Sequence, residues 1–267
     1  MDSSNRLCEA TERLRNNKKR GIAPYITSGD GGLDQTLKIM HALEEKGATC
    51  LELGIPFSDP IADGPILQAA ATRSLESGTT LDNSLEVIQQ FRTDGGKLPI
   101  AIMSYMNPLI QKGSLKKACQ AISQAGADAI LIPDLPLEES ASLEKSGAEQ
   151  NLATALFVAP TSNEERIYNA SERSTGFLYV VGRVGITGNS TTFDKNTQDF
   201  IKKIRKLCSI PIAVGFGIRT REDIRAATQH ADIAIVGTAM VEKLHASANP
   251  AEAASEFYSE LELGLNQ

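Results

Sequence analysis

Short apolar runs alternate with polar, amphipathic stretches along the whole chain. The runs are IAPYIT (22–27), ATCLELG (48–54), LPIAIMSY (98–105), DAILIP (128–133), LATALFVA (152–159), GFLYVVGR (176–183), IPIAVGFG (210–217) and ADIAIVG (231–237). Runs this short and this rich in Ile, Val, Leu and Ala read as strands buried on both faces, with a helical stretch after each. Eight such units within 267 residues predict an α/β fold, the (β/α)8 TIM barrel. The competing architecture is a doubly wound open sheet. Its dinucleotide-binding form carries G-x-G-x-x-G after the first strand, and the turn here is TSGDGG (27–32).

A weak internal echo supports repeated units. EEKGATCLELG, SQAGADAILIP and TQHADIAIVG each pass from a helix end through a small residue and Ala into a strand, and Gly47 and Gly126 stand where a helix C-terminus favours positive φ. Leu7, Ala10 and Leu14 share one helical face, which predicts an extra N-terminal helix closing the barrel bottom. The second and third strand starts, at 48 and 98, lie 50 residues apart, so an insertion follows strand 2. It holds GIPFSDPIADGP and two predicted helices, 65–77 and 81–93. A second insertion follows strand 6, RVGITGNSTTFDKN (183–196), rich in Gly, Ser and Thr. No linker interrupts the pattern, and residues 1–267 read as one domain.

Composition narrows the function. Lys and Arg number 27 against 33 Asp and Glu, a net charge of −6, which argues against nucleic-acid binding. No apolar run reaches the roughly 18 residues of a membrane span. The start MDSSNRLCEATERLRNNKKR is too charged for a signal-peptide core, so a cytoplasmic location is expected. Cys8, Cys50, Cys119 and Cys208 form no C-x-x-C pair and read as reduced structural thiols. The P-loop, the G-x-S-x-G elbow and H-E-x-x-H are absent, and His41, His230 and His245 fall on predicted helices or helix ends.

Carboxylates are the remaining chemistry. Alternation in CLELG places Cys50, Glu52 and Gly54 on the face opposite Leu51 and Leu53. If the leucines meet the helices, Glu52 points into the barrel, where burial raises a carboxyl pKa toward the range useful for proton transfer. The other reading is a structural Glu paired with an inward Arg or Lys. Asp63, in IADGP, is either catalytic or the N-cap of the following helix. Asp30, Asp59 and Asp134 also follow strands and fit turn chemistry, with their clustering on one rim the better clue. Tyr179 and Arg183 lie in or at the end of the sixth strand, as core or rim residues or as part of the site. GFGI, then Thr220 and Asp223 as a capping box, and VGTAM after the eighth strand suit an anion held by backbone donors. Ordinary tight turns are the alternative.

The run LELGIPFSDPIADGP (51–65) resembles the signature of the tryptophan synthase alpha chain family. The resemblance continues through PYITSGD, SYMNPL, IPDLPLEES, GRVGITG, VGFGI and VGTAM, and so covers nearly the whole chain. It departs at Gly31, Gly182 and Thr238, where the family often has Pro, Ser and Ser. The resemblance implies a TIM-barrel lyase that cleaves indole-3-glycerol phosphate to indole and glyceraldehyde 3-phosphate. By that resemblance Glu52 and Asp63 are catalytic; Tyr25, Tyr105, Leu131, Tyr179, Thr187 and Phe216 line the substrate pocket; and Gly188, Gly217, Gly237 and Thr238 hold the phosphate. It implies no metal and no cofactor on this chain, and a pyridoxal-phosphate beta subunit as partner in an alpha2-beta2 assembly. Three other readings are a stand-alone indole-releasing lyase, a different phosphate-binding barrel isomerase or epimerase, and a non-catalytic regulatory subunit. The pairing of Glu52 with Asp63 argues against the last.

Overall fold

The computed structural model describes residues 5–181, 195–215 and 217–265. Helix α1 (Arg6–Asn16) precedes β1 (Gly21–Thr27) and α2 (Leu33–Glu45). After β2 (Leu51–Gly54) come two helices, α3 (Pro65–Glu76) and α4 (Leu81–Thr93), where the sequence predicts them. Next are β3 (Ile100–Met103), a short α5 (Met106–Ile110), α6 (Leu115–Ala125), β4 (Ala129–Leu131), a 3-10 turn at Leu137–Glu139 and α7 (Ala141–Glu149). The chain goes on through β5 (Ala153–Thr154), β6 (Phe157–Val158), α8 (Glu164–Arg173), β7 (Leu178–Val181) and α9 (Lys195–Leu207). It finishes with β8 (Ile212–Gly215), α10 (Arg221–Thr228), β9 (Ile233–Val236), α11 (Thr238–His245) and α12 (Pro250–Glu262).

All pairings are parallel, in the order β5-β4-β3-β2-β1-β9-β8-β7-β6. The first and last strands of this order are consecutive on one stretch of chain, so the sheet returns on itself as a barrel. The fifth predicted strand is thereby two segments. Its first half pairs with β4 and its second with β7. Between them the Leu156 N–H donates to the Ser174 hydroxyl (3.0 Å) and its carbonyl accepts from Tyr179 N (3.0 Å).

Two apolar shells explain why the barrel is stable yet has room at one end. Outside, Leu51, Leu53, Ile100, Ile102 and Ile130 are fully buried against the helices. Each such side chain contributes about 1.5–3 kcal/mol. Inside, small residues dominate, with Ala23, Cys50, Ala101, Ala129, Ala153 and Ala213 in one cluster. Leu7 of α1 joins that cluster with no exposed surface, so the N-terminal helix plugs the bottom as predicted.

The repeated Ala-Asp step before a strand has a structural purpose. Asp128 accepts from Ile100 N (2.8 Å) and pairs with Arg6 and Arg92 (2.9 Å each). Asp232 accepts from Ile212 N (2.8 Å) and pairs with Arg20 (2.9 Å) and Arg205. Each carboxylate thus joins the start of the preceding strand to a helix and to the N-terminal segment. At the opposite end, Arg73 of α3 grips Asp30 through two bonds of 2.8 and 2.7 Å. This clamp fixes α3, and with it the segment 55–64 that leads out of β2.

Candidate active site

Glu52 sits in the middle of β2, in register with Tyr25 of β1 and Ala101 of β3. The leucines beside it belong to the outer shell, so the closed barrel turns Glu52 inward, where it is 1% exposed. An inward cation does not meet it among the described residues. Its Oε1 has no hydrogen-bond partner, and its other contact is the Tyr179 hydroxyl. Burial pushes the carboxyl up to about 8, and the Tyr179 hydrogen bond draws it partly back.

Asp63 belongs to the segment between β2 and α3. Gly64, not Asp63, is the N-cap of α3, Pro65 opens the helix, and no side chain caps it. The capping role offered by the sequence is therefore not what this carboxylate does. Its own backbone is held, with the N–H donating to Pro60 O (3.0 Å) and the carbonyl accepting from Gln68 Nε2 (2.8 Å). The carboxylate is left to Tyr105, whose hydroxyl also accepts from Ala62 N at 3.0 Å. Burial pushes Asp63 up to about 6, against the lowering effect of that hydrogen bond.

Both carboxylates line a cavity of about 430 Å³ at the C-terminal mouth of the barrel. Tyr25 and Tyr179 share its wall, each ring lying so close to a glycine, Gly54 and Gly215 respectively, that a Cβ there would collide with it. Burial pushes both hydroxyls above the usual tyrosine range, so they stay protonated donors. Gly217, Gly237 and Thr238 also reach the cavity. Leu131 is buried in the barrel interior and Tyr105 stands behind Ala62; the cavity wall includes neither. Thr187, Gly188 and Phe216, with Gly182, Arg183 and the insertion after the sixth run up to residue 194, lie outside the described residues.

The two helix N-termini near the glycine turns differ. Helix α10 is closed by its own capping box, Thr220 with Asp223. Helix α11 has Gly237 as N-cap and no side-chain cap, and Thr238 follows at the cavity wall. Its first N–H groups and positive dipole end are thus available to an anion.

Asp30 and Asp134 are occupied in the framework, while Asp59 is exposed and accepts from the neighbouring Ser58 hydroxyl. Asp30 holds Arg73, and Asp134 accepts from Met106 N (3.0 Å) at the start of α5. His41 pairs with Asp94 (3.3 Å) on the outer helices. Among the described residues no cluster of His, Cys, Asp and Glu is placed to hold a metal ion, and no helix is long and apolar enough to cross a membrane. All four cysteines are free thiols.

Sequence reasoning missed several wall residues. Met103, Phe157 and Ile235 supply apolar wall; each shares the inward parity of Glu52 on its own strand, which could have identified them. Arg166 and Arg219 bring cations to the wall. Arg219 directly follows the GFGI run, so reading that motif one residue further would have included it.

The class so defined is a (β/α)8 barrel with two carboxylates in one cavity at its C-terminal mouth. A family model described as tryptophan synthase alpha chain matches residues 11–265. The alpha chain of Chloroflexus aggregans is 40% identical over 240 residues, 90% of each chain. Tryptophan synthase subunit alpha from Legionella pneumophila superposes with a TM-score of 0.90 at 31% identity, covering 99% of each chain. A chain from the tryptophan synthase a2b2 complex of Pyrococcus furiosus does so at 0.84 and 31%, covering 93% of this chain and 99% of that one. The chain belongs to the tryptophan synthase alpha chain family, whose enzymes carry out the indole-3-glycerol-phosphate lyase half-reaction.

Proposed function

We propose that residues 1–267 act as one catalytic domain in which Glu52 and Asp63 cleave indole-3-glycerol phosphate to indole and glyceraldehyde 3-phosphate. Direct rupture of the bond between ring and side chain would leave a poor carbanion on the indole. Protonation of that ring carbon comes first and places positive charge on the ring nitrogen. Glu52, neutral below about 8, delivers this proton. As the carbon–carbon bond opens, its electron pair restores the aromatic ring, and the carboxylate takes the proton of the neighbouring glycerol hydroxyl, which becomes the aldehyde. Asp63, ionised above about 6, accepts a hydrogen bond from the ring N–H and stabilises its developing charge. Tyr25 and Tyr179, with Thr187 and Phe216, shape the pocket for ring and glycerol, and Tyr105 and Leu131 act from behind its wall. The phosphate rests on backbone donors of Gly188, Gly217, Gly237 and Thr238. The observation that carries this reading is the pair of carboxylates, Glu52 buried and Asp63 half-buried, whose environments separate them, one about 8 and one about 6, in a single cavity.

That pair sets a pH dependence. Catalysis requires Glu52 protonated and Asp63 ionised, so kcat/KM is expected to rise as pH passes about 6 and fall as it passes about 8. A profile from steady-state indole release checks this. In Asp63→Asn the acidic limb contributed by the enzyme disappears while the alkaline limb stays.

The partner reading follows from the family, whose Pyrococcus furiosus relative is a tryptophan synthase a2b2 complex with mutual activation. This chain is expected to pair with a beta subunit that carries the pyridoxal phosphate, in an alpha2-beta2 assembly of the cytoplasm, and to pass indole to it. Ile61, 75% exposed in the segment between β2 and α3, offers apolar surface at the mouth. The experiment is indole release by the chain alone and with added beta subunit. A rise of tenfold or more is expected, since a bias of about 1.4 kcal/mol toward a closed state changes its ratio to the open state tenfold. A lone chain already as fast as the mixture would favour a stand-alone lyase.

A further inference from the structure

Backbone donors bear no net charge, yet the proposed substrate is a dianion entering a protein of net charge −6, past two carboxylates. We propose that Arg219 and Glu242 form a charge pair that tunes phosphate affinity at the open end of α11, Arg219 attracting the anion and Glu242 opposing it. This rests on the phosphate lying at α11, as proposed above.

Arg219 is on the cavity wall, two residues beyond Gly217, and its guanidinium pairs with Glu242. Glu242 stands four residues after Thr238 on α11, which puts the two on one face of the helix about one turn, 5.4 Å, apart. Arg219 and Thr238 line the same cavity, so the pair links the cavity wall to the helix whose first N–H groups have no side-chain cap. The loop beneath Arg219 is fixed, because its backbone N–H donates to Asp223 at 2.9 Å. The pair itself is solvent-accessible, 41% and 35% exposed, so its worth as a stabilising contact is small. A guanidinium can hold a carboxylate and a phosphate oxygen at once, through different N–H groups. Arg166, the other wall cation, is paired with Glu138 on the 3-10 turn after β4 and not with a residue of α11.

Opposite signs make the test decisive. In the full-length chain, calorimetric binding of inorganic phosphate and of glycerol phosphate at low salt should weaken about five- to tenfold in Arg219→Gln and tighten several-fold in Glu242→Gln. The double variant should return toward wild type. All three differences should shrink as salt rises, and in turnover they should appear in KM more than in kcat. A pair with a merely structural role is broken equally by either substitution, so both variants would move binding in the same direction or not at all. That result would overturn the proposal. Gly237→Asp separates this failure from failure of the phosphate site itself. Among the described residues a Cβ at Gly237 meets Tyr25 Cβ alone, at 3.9 Å, so the variant should fold, and its carboxylate should abolish phosphate binding. If Gly237→Asp blocks binding but the charge variants do not act with opposite signs, only the Arg219–Glu242 idea falls. If Gly237→Asp binds phosphate normally, the anion is not at α11 and both readings fall together.

Discussion

Glu52→Gln is expected to abolish indole release while leaving a folded and more stable protein. The amide keeps the shape of the side chain but can neither deliver the proton to the ring carbon nor take one from the glycerol hydroxyl. General acid/base catalysis is typically worth about 10²- to 10⁴-fold, and a residue serving two steps should lie at or beyond the upper end. The stability effect has a definite sign. Glu52 ionises near the ordinary 4.5 when unfolded and near 8 when folded, so between those values the native state binds the extra proton and stability falls as pH rises. Glutamine has no proton to lose in the unfolded chain. At pH 7 the variant should therefore gain on the order of 3 kcal/mol, at about 1.36 kcal/mol per pH unit. Single-turnover indole release and thermal unfolding from pH 5 to pH 9 measure both effects. A folded variant with more than about a tenth of wild-type turnover, or a stability that still declines toward alkaline pH as steeply as wild type, is incompatible with the assignment.

Asp63→Asn should reduce turnover by about 10²- to 10³-fold, with a smaller change in substrate affinity. The positive charge that Asp63 faces exists chiefly in the transition state, and an amide oxygen can still accept the ring N–H hydrogen bond in the ground state. The loss should therefore fall on kcat more than on KM. A structural role predicts near-normal kinetics. Asparagine is as good an N-cap as aspartate, and α3 is capped by Gly64 in any case. Near-normal kinetics would return Asp63 to the framework. Stopped-flow measurement of bound substrate beside steady-state turnover separates the two.

The elements of this fold are written locally, and so they could be read. Eight apolar runs, the long gap before the third of them and the Leu7–Leu14 stripe are visible as periodicity. They correspond to the barrel strands, to α3 and α4, and to the plugging helix. The inward parity of Glu52 was legible for the same reason, since Leu51 and Leu53 flank it and a strand alternates faces. Motif resemblance added Gly237 and Thr238, which the fold sets at an open helix end on the cavity wall.

Other features required closure of the barrel. Nothing local distinguishes an Asp that caps α3 from one that leaves the cap to Gly64 and turns to Tyr105 across 42 residues. The break in the fifth strand arises because its halves serve different neighbours, β4 and β7, which meet only in the closed sheet. Arg166 and Arg219 become neighbours of one cavity although 53 residues separate them. The carboxylate pKa values belong to the same group, because a side chain loses water only when every wall around it is in place. Periodicity and turn chemistry act over a few residues and survive in the isolated segment. Burial, dielectric environment and cross-barrel hydrogen bonds depend on residues far apart in the chain, and they come into being with the assembled fold.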